Sequence, residues 1–309
     1  MLLLLDWTLF DAPAMAARLP IGNNDGSPND KLLLAARYRD AEVLYLGDSR
    51  VFYGVDPSIV SEACGCGPGF NGAVPAADPP LTSVMADRLL QELSPGLVVL
   101  GVSQWELSDE ADIPVDDPAR EVVAPGQLPE FGVTLDWPEQ IEAWTGAAWR
   151  LYKYRGELRS ALDAWASGAG PEDPRRGFEV YRERRRIRQE DFERRERQWF
   201  HHFSVDGRRT EALRGLVGRL RRRGVQVLLV AAPLYPDFHD EVRREVAMFR
   251  AAVQDLAAEE GAGFEDVTDA TRIGLTADDF LDIAHLDEAG AAAFWRHLGN
   301  VLRSRLGAG

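Results

Sequence analysis

Three short, largely apolar runs set the strongest limit on what this chain can fold into: Val43–Leu46, Leu97–Val102 and Val225–Ala231. Segments with the apolar period of an amphipathic helix separate or follow them, over 81–93, 210–223, about 240–260 and 288–306. A run that is apolar on both faces is typical of a strand in a parallel sheet covered by helices. The sequence therefore predicts an α/β fold, a three-layer α/β/α sandwich around a central parallel sheet.

Weaker signals complete the predicted organisation of the chain. One short strand is predicted just before Asn71, and a weak one over about 263–267. The length of 309 residues, with 45% hydrophobic and 28% charged residues, is typical of a globular protein. We predict an amino-terminal segment over 1–40 and a single α/β domain over 41–305. A largely helical insertion is predicted within that domain, over 108–203.

The insertion contains a charge-rich segment, Arg182–Gln198, which has eight arginines and five acidic residues. A line of aromatic residues and arginines predicts one continuous helix face, formed by Phe178, Tyr181, Arg185, Arg188, Phe192, Trp199 and Phe203. One interpretation is a solvated helix with intrahelical ion pairs. The other is a surface that binds an acidic polymer or a lipid headgroup. The sequence leaves both interpretations open.

The amino terminus and the net charge bear on location and partners. Leu2–Leu5 is apolar but is stopped by Asp6, so it is too short for a signal peptide or a spanning helix. If it is the end of a membrane segment encoded upstream, we expect a membrane-anchored or extracytoplasmic protein. As written, the chain is expected to be soluble, with a cytoplasmic location open.

The turn-rich stretch 20–32 predicts a loop that leads into the domain. The net charge of −15 argues against nucleic acid as a partner.

The two cysteines, Cys64 and Cys66, are separated by one residue. A bridge at that spacing is expected to be strained, and the surroundings lack further zinc ligands at a suitable spacing. We therefore predict two free thiols in a loop. Nothing in the sequence implies a metal ion or an organic cofactor.

Two separate stretches indicate chemistry. The apolar run Val43–Leu46 leads directly into Gly47-Asp48-Ser49, which places a serine on the tight turn at the mouth of an α/β sheet. Asp282 and His285 stand three residues apart, just before the last helix. On a turn, that spacing lets the carboxylate reach Nδ1–H of the imidazole and leaves Nε2 free to act as a base for a serine. We therefore predict that Ser49, His285 and Asp282 form a catalytic triad, with Asp48 stabilising the turn.

These stretches resemble the SGNH hydrolase superfamily, also called the GDSL-like esterases. Gly47-Asp48-Ser49 is similar to the first block of that family, and Asp282-x-x-His285 is similar to the last block. The resemblance covers about 41–105 and 225–305, and it implies a flavodoxin-like sandwich and a serine nucleophile. It also implies an oxyanion hole that contains the N–H groups of Ser49 and Gly72.

The third block departs from the family pattern, which is Gly-x-Asn-Asp. The corresponding run here is Gly101-Val102-Ser103-Gln104, so Ser103 stands where an asparagine side chain would complete the oxyanion hole. Losing one such donor typically costs about 2.7–4 kcal/mol of transition-state stabilisation. We expect Ser103 to be the replacement donor, with Gln104 or Asn71 as further candidates.

The sequence offers five candidates for contacts with substrate. They are Arg50, Asn71, Gln104, Trp105 and Tyr235. Arg50 is adjacent to the predicted nucleophile and is either a residue of the helix start or an anion-binding group. The rings of Trp105 and Tyr235 follow strand ends, where they either line a cleft or pack in the core.

The runs Gly47–Val51 and Val99–Leu107 are most similar to a branch of bacterial cell-surface proteins that resembles the alginate O-acetylation and teichoic-acid D-alanylation proteins. This resemblance implies a serine-dependent esterase or O-acyltransferase. Its substrates would be acylated carbohydrates, cell-envelope polymers or small esters, and its partner a membrane acyltransferase. Two alternatives stay open. One is a non-catalytic protein that binds polymer or acts as a scaffold, and the other is a cytosolic lipid or thioester hydrolase.

Overall fold

The computed structural model describes residues 26–167, 175–181 and 187–306, and it contains a five-stranded, all-parallel sheet. The strands are β1 Val43–Leu46, β2 Gly69–Asn71, β3 Leu97–Val102, β4 Gln226–Ala231 and β5 Gly263–Asp266. Their order in space is β2-β1-β3-β4-β5, which is the order of flavodoxin-like sheets. The predicted α/β fold with a central parallel sheet is therefore confirmed.

Helices cover both faces of the sheet. In chain order, the helices of the described ranges are α1 Pro28–Ala35, α2 Ser49–Gly54, α3 Pro57–Cys64, α4 Pro79–Leu89, α5 Asp116–Val122, α6 Trp137–Ala148, α7 Arg150–Lys153, α8 Arg155–Ala166, α9 Gln189–Trp199, α10 Arg208–Arg222, α11 Pro236–Glu241, α12 Arg243–Glu260 and α13 Glu288–Leu306. Of these, α5 to α9 belong to the predicted insertion. Among the helices that can be described, none is long and apolar enough to cross a membrane.

Successive strand residues point to opposite faces of the sheet, and each face has its own core. Leu44 and Leu46 of β1 share a buried cluster with side chains of α1, α4, α10 and α12. Val43 and Tyr45 share a second cluster with side chains of α2, α3 and α13. Burial on both faces explains why the strands are apolar without alternation, and it gives the three layers.

The turn that carries Ser49 follows β1, at the carboxyl ends of the neighbouring strands β1 and β3. In this sheet order, β2 lies on one side of β1, and β3, β4 and β5 lie on the other side. The order in which strands are added to the sheet therefore reverses between β1 and β3. The crevice outside such a reversal is the usual ligand-binding position of open α/β sheets.

The segment that follows the serine turn forms two helices, α2 and α3, because Asp56 caps a new helix that begins at Pro57. The loop predicted over 20–32 is corrected in its second half, because α1 starts at Pro28 after the capping side chain of Ser27. Residues 20–25 of that predicted loop lie outside the described residues.

The single helix face predicted from Phe178 to Phe203 is also corrected. Helix α9 begins only at Gln189 and ends at Trp199, so Phe178 and Tyr181 lie outside it. The predicted face residue Arg185 lies outside the described residues. Phe178 instead packs in the core, edge-on to the ring of Trp295 in α13.

The prediction of two free thiols is wrong, because Cys64 and Cys66 form a disulfide. Their Cα atoms are 5.2 Å apart, which is within the usual range for a bridge. Gly65 between them has φ 66° and ends α3 in the left-handed conformation. That reversal of the chain brings the two cysteines together.

Candidate active site

The turn that carries Ser49 is shaped by close packing at the end of β1. Gly47 has φ 143°, and a Cβ added there would lie 2.7 Å from Val51 Cγ2 and 2.8 Å from the Gly101 carbonyl oxygen. Only glycine fits this position without strain. Asp48 caps α2 by accepting the N–H of Arg50 at 2.9 Å. Ser49 is therefore the first residue of α2, where its own N–H has no acceptor within the helix.

The structure brings together the three residues predicted to form a triad, although Ser49 lies 236 residues before His285 in the sequence. His285 Nε2 is 2.8 Å from Ser49 Oγ. His285 Nδ1 is 2.9 Å from both carboxylate oxygens of Asp282. With Nδ1 bonded to the carboxylate, Nε2 is left as the acceptor for the serine proton, which is the arrangement that activates a serine nucleophile.

Asp282 is held in its ionised form by several donors. Burial opposes ionisation and is the largest single effect on this carboxyl group. The hydrogen bond from His285, the charge of that imidazole, and the backbone N–H groups of Ala284 and His285 together outweigh burial and lower the pKa of Asp282 to about 2. The two backbone bonds measure 2.8 and 2.9 Å. A carboxylate fixed in this way orients the imidazole and stabilises its protonated form.

Two tyrosines enclose His285. The ring of Tyr181, from the insertion, lies nearly parallel to the imidazole with 4.5 Å between centroids. Its hydroxyl donates to Asp282 Oδ2 at 3.4 Å. Tyr53 of α2 meets the imidazole edge-on at 5.7 Å. Sequence reasoning did not single out either tyrosine as a site residue, because only the folded chain brings them beside His285.

Two of the three groups expected at the oxyanion hole, those of Gly72 and Ser103, are bonded within the fold. The N–H of Gly72 donates to the carbonyl oxygen of Tyr45 at 2.9 Å, so it is committed to the sheet. The hydroxyl of Ser103 donates to Asp48 Oδ2 at 2.6 Å, and the residue is buried. Both residues therefore have structural partners instead of facing the cavity described below.

The backbone N–H of Ala76 is a candidate oxyanion donor that sequence reasoning missed. It lines the same cavity as Ser49, and its backbone is left-handed with φ 60°. Within the described residues, no acceptor is bonded to its N–H. A non-glycine residue in this conformation is uncommon and marks a locally constrained backbone, often at a functional site. An alanine carries no sequence signal for such a conformation.

Three of the five residues suggested for substrate contact instead hold strand ends together. Arg50 is buried and donates to Gln104 Oε1 at 2.9 Å and to the carbonyl oxygen of Pro233. Gln104 donates in turn to the carbonyl oxygen of Ala232 at 3.2 Å. Asn71 donates to carbonyl oxygens at the end of α2, at 2.9 Å for Val51. These polar side chains are buried because they satisfy backbone groups that would otherwise lack partners.

A cavity of about 600 Å³ opens beside Ser49. Residues of the α/β core form one side of it, including Ser49, Ala76, Trp105, Glu106, Ile283 and His285. The insertion forms the other side, with Ile113, Pro114, Arg188, Asp191, Arg195 and Trp199. Its volume falls in the usual range for a small-molecule site.

The two predicted aromatic candidates have different positions relative to this cavity. Trp105 lines it and stacks on Trp199 of α9, with 3.9 Å between ring centroids and 17° between ring planes. The ring of Tyr235 packs against Phe192 and Phe280. The Trp105–Trp199 stack fixes the insertion to the core, because each ring comes from one of the two parts.

Glu106 is a further cavity residue that sequence reasoning missed. The pKa of Glu106 is raised well above its usual range, mainly by burial and next by the negative charge of Asp48. The N–H of Ser103 and the charge of Arg50 oppose that rise. A signal was present in the sequence: Ser103-x-x-Glu106 is a capping-box pattern, and the bond from the Ser103 N–H to Glu106 Oε2 forms at the short 3-10 turn Gln104–Leu107, while the Ser103 hydroxyl bonds Asp48 instead.

Comparison with known proteins adds no relative: no protein-family model matches the chain, and no curated protein matches it at a significant level.

Proposed function

We propose that this protein is a serine-dependent esterase or O-acyltransferase. The observation that carries the proposal is the continuous hydrogen-bonded relay from Ser49 Oγ through the imidazole of His285 to the carboxylate of Asp282. This relay stands at the carboxyl edge of a parallel sheet and opens into a cavity. A nucleophile, a base and an orienting acid in hydrogen-bond reach of one another define acyl-transfer chemistry.

The reaction would proceed in two halves. Ser49 Oγ attacks the carbonyl carbon of the ester while His285 Nε2 takes the serine proton, giving a tetrahedral oxyanion. The N–H groups of Ser49 and Ala76 are the candidate donors to that oxyanion. The C–O bond to the leaving alcohol then breaks, His285 returns the proton to that oxygen, and an acyl-serine is left. In the second half, His285 takes the proton of water or of another hydroxyl while that oxygen attacks the acyl carbon. The bond from the acyl carbon to Ser49 Oγ then breaks, and His285 returns the proton to Ser49 Oγ.

The cavity favours a substrate that is larger than its acyl group. Its walls combine aromatic and aliphatic side chains with arginine and carboxylate groups from α9. A mixed lining of this kind suits a polar, ring-containing alcohol portion, such as an acylated sugar. The resemblance to cell-surface acylation proteins supports a carbohydrate or cell-envelope polymer as substrate, a membrane acyltransferase as partner and an extracytoplasmic location.

A fluorophosphonate probe tests the proposal directly, because it reacts covalently with an activated serine. We expect wild-type protein to be labelled and Ser49→Ala to be unlabelled. Ser58→Ala is the matched control, since Ser58 is an exposed serine in the first turn of the next helix, and it should be labelled like wild type. Hydrolysis of p-nitrophenyl acetate should follow the same pattern. Absence of both labelling and turnover in the wild-type protein would refute an enzymatic role.

One observation favours a non-catalytic alternative. Gly72 and Ser103, the expected oxyanion donors, are both bonded within the fold. A protein with this cavity but a weak oxyanion hole would bind a polymer or act as a scaffold in an acylation system. In that case calorimetry would detect binding of an acylated oligosaccharide, while the probe would leave Ser49 unmodified.

A further inference from the structure

Glu106 is a buried carboxyl group next to the nucleophile turn. Only 4% of the residue is exposed, yet Glu106, Asp48 and Ser49 all border the cavity. Its Oε2 accepts the N–H of Ser103 at 3.0 Å. Its Oε1 is buried and receives no hydrogen bond from a donor in the described part of the chain. An ionised carboxylate would pay a large desolvation cost in this position.

Asp48 lies beside Glu106, because Ser103 bonds both residues: its N–H donates to Glu106 Oε2 at 3.0 Å and its hydroxyl donates to Asp48 Oδ2 at 2.6 Å. A side-chain hydrogen bond with Asp48 is also among the causes that raise the pKa of Glu106. Two ionised carboxylates have only acceptors and repel each other, so a bond between them requires a proton on one of them. Asp48 already accepts the N–H of Arg50 on Oδ1 and the O–H of Ser103 on Oδ2, and both donors stabilise its negative charge. Glu106 accepts one such bond, which places the proton on Glu106.

We propose that Glu106 is a neutral carboxylic acid that donates a hydrogen bond to Asp48 and thereby positions the turn that carries Ser49. Asp48 is the residue that caps α2, so a bond that fixes its side chain also fixes the start of the helix at Ser49. Glu106 is thus a positioning residue that acts through Asp48. Its effect on catalysis rests on the proposed function, whereas its protonation state does not.

The charges around the nucleophile disfavour an ionised Glu106. The cation of Arg50 lies close to Asp48, Glu106 and Asp282, and the Asp282–His285 pair completes the charged groups around the nucleophile. An ionised Glu106 would add a negative charge beside the position where the oxyanion develops. A negative charge there opposes formation of the tetrahedral intermediate, which is the opposite of what the site requires.

Two substitutions separate a neutral hydrogen-bond donor from an ionised group. Glu106→Gln keeps both bonds, because the amide N–H can donate to Asp48 and the amide oxygen can accept the N–H of Ser103. Glu106→Met has a similar volume and loses both bonds. We expect kcat of Glu106→Gln to stay within about 3-fold of wild type and kcat of Glu106→Met to fall about 10- to 100-fold, with KM nearly unchanged. A glutamine variant as impaired as the methionine variant, or a methionine variant as active as wild type, would overturn the positioning role.

Infrared spectroscopy tests the protonation state without any assay of activity. The difference spectrum between wild type and Glu106→Gln at neutral pH should contain the C=O stretching band of a protonated carboxyl group. A difference spectrum with only carboxylate bands would overturn the proposal. If the band is present but the fluorophosphonate probe fails to label Ser49, the proposed enzymatic function fails while the neutral Glu106 is supported.

Discussion

At the scale of single residues, the site depends on which hydrogen bonds each polar group has already made. Ser49, His285 and Asp282 are bonded to one another in a relay suited to proton transfer. Ser103 is different, because its hydroxyl is bonded to Asp48 and is not turned toward the cavity. The role of each side chain therefore depends on its hydrogen-bond partner. Stability and kinetic measurements on variants distinguish a structural role from a catalytic one.

Ser103→Ala is expected to affect stability more than chemistry. Removing the hydroxyl leaves Asp48 Oδ2 without that donor, which should lower the free energy of unfolding by about 1–2 kcal/mol. The loss of kcat/KM should stay below about 10-fold, because a true oxyanion donor would cost roughly 100- to 1,000-fold. Chemical denaturation and p-nitrophenyl ester kinetics on the same preparations provide both measurements. A loss of kcat/KM of roughly 100-fold or more would instead show that Ser103 donates to the oxyanion.

At the scale of secondary-structure elements, α9 is the part of the insertion that completes the cavity. Trp199 stacks on Trp105 of the core, and Phe192 of α9 packs with Phe238 of α11. Trp105, Trp199, Phe192 and Phe238 belong to one buried cluster at the carboxyl end of the sheet. The far wall of the cavity is thus held by aromatic packing.

Trp199→Ala should loosen that wall while leaving the triad in place. We expect KM for an acylated oligosaccharide to rise about 10-fold or more, while turnover of p-nitrophenyl acetate changes little, because the small ester needs only the residues around Ser49. Trp144→Ala is the matched control, since Trp144 is 59% exposed on α6 and should alter neither value. Equal losses for both esters in Trp199→Ala would show that the stack supports the triad itself.

At the scale of the whole molecule, the free energy of unfolding should depend on pH partly through the titration of Asp282. The folded-state pKa of about 2 lies below the ordinary value of about 3.9 for an unfolded chain. A depressed carboxyl pKa contributes stability above the unfolded value, and that contribution, about 2–3 kcal/mol, is lost as the pH falls from about 4 to about 2.

Asp282→Asn removes this titration. In urea titrations across that pH window, wild type should lose more stability than the variant, by about the contribution of Asp282. Parallel curves for the two proteins would show that the carboxylate is not stabilised by His285 as the structure indicates. The same variant should lower kcat by roughly 1,000-fold or more, because the imidazole is no longer held in the correct tautomer.

The sequence alone determined the parallel sheet, four of the helices that cover it (α4, α10, α12 and α13) and the three side chains that meet at Ser49. Apolar runs without alternation specify buried parallel strands, and a serine directly after such a run must lie at the edge of the sheet. The short spacing of Asp282 and His285 is also a local property, so their pairing can be predicted from the chain. These features depend on neighbours in sequence.

Only the tertiary structure decided which groups face the cavity and which are bonded within the fold. Gly72 and Ser103 were expected at the oxyanion hole, but Tyr45 and Asp48, from other elements, take their hydrogen bonds. Ala76 and Glu106 carry weak or no sequence signals, and the roles proposed for them rest on a left-handed backbone and on burial beside Asp48. The physical reason is that desolvation and hydrogen-bond partners are set by residues distant along the chain, which only folding brings together.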